Sequence, residues 1–304
     1  MKTALITHDD CLHHVTPPGH PEQVARLEYI HDALNSLDVI RVEAELARKE
    51  GIATLHPITY IEKIEAAVPD NGWASIDGDT HLSPGSFQAA LRAAGGVLQA
   101  VDLVMSQTAQ NAFVAVRPPG HHAEKETAMG FCFFGNVALG VKHALDYHGL
   151  SRVAVVDFDV HHGNGTEDIV AGDERILMVG FYQHPFYPNT PLTGAANVHN
   201  SPVAAYTVGD AIREIVTDEW LPRLHAFKPE LVLISAGFDA HRLDDLGQMG
   251  LVEADYAWMT SQLMAIADQY AQRRLVSCLE GGYNLQALAT SVEAHLRVLA
   301  GLDA

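Results

Sequence analysis

Four short segments of this 304-residue chain concentrate the side chains that could do chemistry. RPPGHHA places His121 and His122 side by side, and VDFDVHHGNGT carries Asp157, Asp159, His161 and Asn164. SAGFDAH offers Asp239 and His241, and EGGYN presents Tyr283 on a glycine-rich turn. If the chain stays extended through the second segment, Asp157, Asp159 and His161 alternate onto one face while Phe158 and Val160 point the other way. Two carboxylates that close raise each other's pKa unless a cation separates them. A metal ion is the simplest compensation, and with Asp239 there are more oxygen and imidazole ligands than one ion needs. Three ligands and an open position make a catalytic zinc site, whereas structural sites are closed and usually rich in thiolate. Taken singly, an Asp or His at a strand end is usually a cap or a solvated residue. The cluster carries the argument.

Paired histidines on one loop suit proton transfer. Zinc lowers the pKa of its water towards about 7; a nearby imidazole can take the remaining proton, and a leaving amine needs one back. A carboxylate such as Asp157 and an amide such as Asn164 would fix the two tautomers. Tyr283 could donate to a carbonyl oxygen as it becomes an oxyanion, although a GGY turn alone is a weak signal. His8, His13, His14, His20, His56 and His143 read as surface, capping or scaffold residues.

The elements that must position these side chains read as alternating strands and helices. Strands are expected at 4–7, 112–116, 152–158, 176–180, 231–235 and 275–279. Helices are expected at 21–36 (with Pro21 in the first turn), 86–106, 135–147, 164–170, 206–225, 253–269 and 285–299. Runs such as VAVVDF and LVLIS are continuously apolar, the pattern of parallel strands covered on both faces. Without repeat, low-complexity tract or linker, residues 1–304 read as one α/β domain, an open central parallel sheet flanked by helices. Ligands bind such sheets beyond the carboxyl ends of the strands, where the four segments fall.

Composition narrows the function classes. A hydrophobic fraction of 48% and a charged fraction of 19% can build a large core. The formal net charge of −19 opposes nucleic-acid backbones and anionic membranes as partners, and self-association remains compatible with it. Cys11, Cys132 and Cys278 form neither a disulfide framework nor a thiolate zinc site. With no secretory pattern in MKTALITHDD, a reducing, cytoplasmic setting is expected. The 18 histidines are the compositional excess and point to metal or proton chemistry.

In order and spacing, RPPGHHA, GFCFFGNVA, VDFDVHHGNGT, SAGFDAH and LEGGYN resemble the histone deacetylase superfamily, nearest its class II branch and bacterial deacetylase-like amidohydrolases. The likeness runs from ITHDDCLHH and PGHPEQVARL to the final helix. It implies an arginase–deacetylase fold, one Zn2+ per chain and hydrolysis of an acyl amide, acetyl-lysine-like, on a small molecule or peptide. By motif position the zinc ligands would be Asp159, His161 and Asp239. His121 and His122 would be the tandem histidines, partnered by Asp157 and Asn164, and Tyr283 the carbonyl-polarising residue. Gly130, Phe131 and Tyr187 would wall a substrate tunnel, with Asp79 at its rim. A monovalent cation such as K+ would sit beside the zinc, near Asp157, Asp159 and His161.

Some positions depart from the pattern. Gly135 replaces an Asn. Gly180, Phe181 and Tyr182 stand where a Ser or Thr followed by His is common, which bears on the cation site and the tunnel. Asp244 and Asp245 replace an Asp-Pro pair. Leu246 stands where a polyamine-specific branch has its carboxylate gate, which favours an acyl-lysine-like substrate over the nearest rival, an acetylpolyamine amidohydrolase. A two-manganese ureohydrolase would need a carboxylate where Gly163 stands. A non-catalytic binding module predicts loss of His121, His122 or Tyr283, and all are present.

Overall fold

A computed structural model describes residues 2–302. Its strands are β1 (Thr3–Thr7), β2 (Ile40–Glu43), β3 (Ala74–Ser75), β4 (His81–Leu82), β5 (Asn111–Val114), β6 (Val153–Asp157), β7 (Ile176–Gln183), β8 (Val198–Val203), β9 (Leu231–Ala236) and β10 (Leu275–Leu279). Eight of them form one sheet in the order β2-β1-β5-β10-β9-β6-β7-β8, with every neighbouring pair parallel. β3 and β4 form a small antiparallel pair outside it. The helices are α1 (Ala25–Leu34), α2 (Lys49–Ile52), α3 (Ile58–Ala66), α4 (Ser86–Met105), α5 (Asn136–Asp146), α6 (Asn164–Val170), α7 (Gly209–Ile215), α8 (Leu221–Phe227), α9 (Glu253–Tyr270) and α10 (Leu285–Ala300).

The expected central parallel sheet is present, and its order explains the site. β5, β10, β9 and β6 are consecutive neighbours at its centre, and each is buried along its whole length. Such strands need cover on both faces. α4 and α5 pack together over these strands, α9 and α10 pack together against β9 and β5, and α1 lies on α10. The four chemistry-bearing segments leave the carboxyl ends of these same four strands, so the sheet itself brings them together.

The elements the sequence did not predict are peripheral. β2 and β8 are the sheet edges; β2 has only exposed or half-buried residues, and β8 buries only Ser201 and Val203 and carries Pro202. Edge strands need no continuous apolar run, and an edge tolerates proline. Helix α1 begins at Ala25, so Pro21 lies outside it. The long helix expected at 206–225 is interrupted by a π-helical stretch, Val216–Trp220, between α7 and α8. Pro222 has no N–H to give the turn before it, and the widened turn buries Trp220, which stacks on Phe181 at 6.1 Å.

Candidate metal and catalytic site

β6 ends at Asp157, so the three alternating side chains are set by turns and not by the pleat of a strand. The Asp159 amide donates to Asp157 Oδ1 at 3.1 Å, and the His161 amide donates to Asp159 Oδ1 at 2.8 Å. Two successive side-chain-to-backbone turns hold every second residue to one side. Asp157 turns away towards His121, while Asp159 and His161 meet Asp239 from the end of β9. His161 Nδ1 lies 3.0 Å from Asp159 Oδ1 and 3.2 Å from Asp239 Oδ2. All three side chains are buried, with candidate ligand atoms within 4.8 Å of one another.

The chemistry of this group fits a divalent ion. No Lys or Arg pairs with either carboxylate among the described residues; only imidazoles do. Asp239 Oδ2 is buried, and its contact with His161 Nδ1 at 3.2 Å falls outside good hydrogen-bond geometry. Burial and the charge of Asp159 push the Asp239 carboxyl up to about 7. Burial opposes the His161 cation, yet the adjoining carboxylates of Asp159 and Asp239 carry it up to about 10. An ion between these atoms would relieve the repulsion that the lone imidazole now carries. Gly281 makes room: a Cβ there would lie 1.9 Å from Asp239 Oδ2.

The paired histidines have different partners. His121 Nδ1 lies 3.1 Å from Asp157 Oδ2 and its Nε2 3.7 Å from Asp159 Oδ2. Burial disfavours its cation, but Asp159 and Asp157 outweigh burial and hold His121 well above the ordinary imidazole range. His122 Nδ1 lies 2.8 Å from Asn164 Oδ1, whose Nδ2 donates to Glu124 at 2.9 Å. Burial, with the neighbouring His121 and His161, pushes His122 well below the ordinary range. The ring centroids are 4.0 Å apart. One imidazole is thus built to hold a proton and the other to lack one.

His122, His161 and Tyr283 line a cavity of about 210 Å³ with Gly130, Phe131, Tyr187, Asp79 and Leu246, so the expected tunnel residues share one chamber. Phe131 has φ +69°, a conformation side chains rarely adopt. Its amide is held by Thr80 Oγ1 at 3.1 Å, and its ring meets Tyr283 edge-on at 5.8 Å. At Gly130 (φ +54°) a Cβ would lie 2.5 Å from the His122 ring, so no larger residue fits. Burial lifts the Tyr283 phenol well above its ordinary range, leaving it a neutral O–H donor.

Several contributors were not singled out in the sequence. Phe186 stacks on His161 at 5.5 Å and lines the cavity, as does Asp245, which the sequence marked only as a departure. Glu280 accepts the amides of Gly120 at 2.7 Å and His121 at 3.1 Å, fixing the histidine loop. Arg26 donates to the carbonyls of Gly282 and Glu280 and lies under the Tyr283 ring at 5.0 Å. Arg117 and Arg26 both pair with the buried Glu22. Glu280 and Arg117 stand inside EGGYN and RPPGHHA; charged residues flanking buried strands were the available signal.

The profile of the histone deacetylase domain matches residues 20–299, nearly the whole sheet and every segment above. The chain belongs to the histone deacetylase family. A histone deacetylase-like amidohydrolase of Pseudomonas aeruginosa is 35% identical, over 89% of this chain and 75% of that one. A probable deacetylase of Archaeoglobus fulgidus is 35% identical, over 100% of this chain and 88% of its own length. Histone deacetylase 14, chloroplastic, of Arabidopsis thaliana is 35% identical, over 94% and 74%. The crystal structure of the HDA15 HD domain superposes with a TM-score of 0.92 at 30% identity, covering 99% of this chain and 90% of that one. The histone deacetylase fold is therefore shared across the sheet. No helix among the described residues is long and apolar enough to cross a membrane.

Proposed function

We propose that this protein is a zinc-dependent deacylase that hydrolyses an acyl amide, acetyl above all, on an amine such as acyl-lysine, within one domain spanning 1–304. The observation that carries the reading is the meeting of two buried carboxylates at one imidazole, beside a cavity that also receives His122 and Tyr283. Asp159, His161 and Asp239 would hold the zinc, which when bound supplies Lewis acidity towards a water nucleophile and the acyl carbonyl. His122, kept neutral, accepts a proton from the attacking water. His121, kept charged by Asp157, conserves a proton that can be returned to the leaving nitrogen. The Tyr283 O–H donates to the carbonyl oxygen as negative charge grows there. Phe131 and Tyr187 pack an extended acyl-bearing chain and exclude water.

A K+-like cation near Asp157 fits the reading, with a substituted oxygen. At Gly180 a Cβ would lie 2.8 Å from the Asp157 carbonyl and 2.9 Å from Asn200 Oδ1. That Asn200 oxygen is buried without a hydrogen-bond partner, so strand β8 offers the side-chain oxygen that residue 180 lacks. A second divalent metal is disfavoured: at Gly163 even a Cβ would lie 2.2 Å from Asp157 Oδ2.

Asp79 and Asp245 on the walls of the same cavity favour substrates with cationic neighbours, which keeps acetylpolyamines as a second reading. Leu246 in the gate position weighs against it. The test is metal analysis of purified protein with a panel of acetyl-lysine peptides and acetylated polyamines, assayed before and after chelation. Roughly one catalytic zinc, loss of turnover on chelation and recovery with zinc are expected. Full turnover in rigorously metal-free protein would overturn the reading.

A further inference from the structure

Helices α4 and α5 bring a second group of ligating side chains together, on elements other than those that line the cavity. Asp102 stands near the end of α4, His143 in the last turn of α5 and His148 just past that helix. Both imidazoles present Nε2 to the same oxygen: His143 at 2.7 Å and His148 at 2.6 Å from Asp102 Oδ1. Tyr147 stacks on the His143 ring at 4.8 Å and 8°, and meets His148 edge-on at 5.0 Å. The amides of Tyr147 and His148 both donate to the His143 carbonyl, at 3.0 and 3.2 Å. The helix end, and not the carboxylate alone, sets where the two rings sit.

We propose that Asp102, His143 and His148 form a second, surface site for a late first-row divalent ion such as zinc. Two neutral imidazoles and a carboxylate suit zinc, copper or nickel, whereas magnesium and calcium prefer all-oxygen sets. The candidate ligand atoms already lie within 4.8 Å of one another. A tetrahedron with bonds of roughly 2.0–2.1 Å sets ligand atoms about 3.3 Å apart, so the rings must withdraw from the carboxylate by only about 0.7 Å. The Asp102 side chain is 50% exposed and free to turn, and solvent can complete the coordination. On binding, each ring shifts its proton from Nε2 to Nδ1 and Nε2 donates its lone pair, so neutral rings release no proton. The chain's net charge of −19 raises the local concentration of cations. The simpler account, that Asp102 serves only to tie α5 to α4 by hydrogen bonds, predicts no ion.

The two accounts separate on metal stoichiometry. Tag-free protein is equilibrated with Zn2+, and bound zinc is measured for the wild type, H148Q alone and H143Q/H148Q. The proposal expects the double variant to hold about one zinc fewer per chain than the wild type, with unchanged acyl-amide turnover and circular dichroism. H148Q, altered outside the helix, should weaken that same equivalent and leave folding untouched. Because the readout is the difference between variants, it stands whether or not the cavity holds its own ion. Equal zinc in wild type and double variant overturns the proposal.

Discussion

Asp244 accepts the backbone amide of Tyr283 at 2.6 Å with one carboxylate oxygen, and the amide of Asn284 at 3.0 Å with the same atom. Its other oxygen accepts the Leu246 amide at 3.0 Å. One largely buried carboxylate therefore sets both the turn that aims the phenol and the wall segment that carries Leu246. Asp244 does not line the cavity; it positions Tyr283, which does.

Tyr283→Phe should lower kcat on the order of a hundredfold with little change in KM, the scale of a lost oxyanion donor. Asp244→Ala should lower kcat by about tenfold or more while Tyr283 is present, and add little once Tyr283 is Phe. The double-mutant cycle in steady-state kinetics checks this. Additive losses would show that Asp244 acts through something other than the tyrosine.

Asn164 is the second handle. Replacing it by Asp puts a carboxylate 2.8 Å from His122 Nδ1 in place of an amide oxygen, which stabilises the imidazolium. The imidazole must be neutral to accept a proton, so the acid limb of kcat/KM against pH should move to higher pH. An unmoved limb in Asn164→Asp would remove His122 from the role of base.

Away from the chemistry, burial pushes His56 down to about 4. One ring nitrogen faces the Lys125 carbonyl and the other accepts the Gly135 amide. Unfolded, the same ring titrates near 6.5, so below that pH the unfolded chain binds the extra proton. Stability is complete above about 6.5 and is lost as pH falls towards about 4, by an amount on the order of 3 kcal/mol. Urea melts across that window should show the slope, and His56→Gln should flatten it.

Arg117 pairs with Glu22 and donates to the carbonyls of Cys11 and His14 at 3.2 and 3.1 Å. Arg117→Leu leaves these acceptors short of a partner in the interior and should cost about 3–5 kcal/mol. Thermal denaturation measures it. A loss below about 1 kcal/mol would mean that water or Arg26 takes over.

What the sequence made legible follows from what each position must satisfy. β6 and β9 are buried throughout, so VAVVD and LVLISA carry an unbroken apolar signature. β2 and β8 bury little, and nothing in IRVE or VHNSPV demanded a strand. Asp159, His161 and Asp239 were readable because acids after apolar runs are costly without compensation. The turns that aim them were not, since Asp157 and Asp159 act there as acceptors for backbone amides two residues on. Asp244 read only as a departure because its partners, the amides of Tyr283 and Asn284, lie far along the chain. Phe186 gave no sign either: FYP says nothing about which ring will lie on His161.

Arg26 reaches the Gly282 carbonyl across 256 residues of chain. The phenol-bearing turn therefore rests on the first helix, and a ribosome must release nearly the whole polypeptide before that turn can lock. Clipping the chain just past Arg26 would take that support from the turn, and stalling synthesis short of β10 would leave β5 and β9 without the strand that joins them.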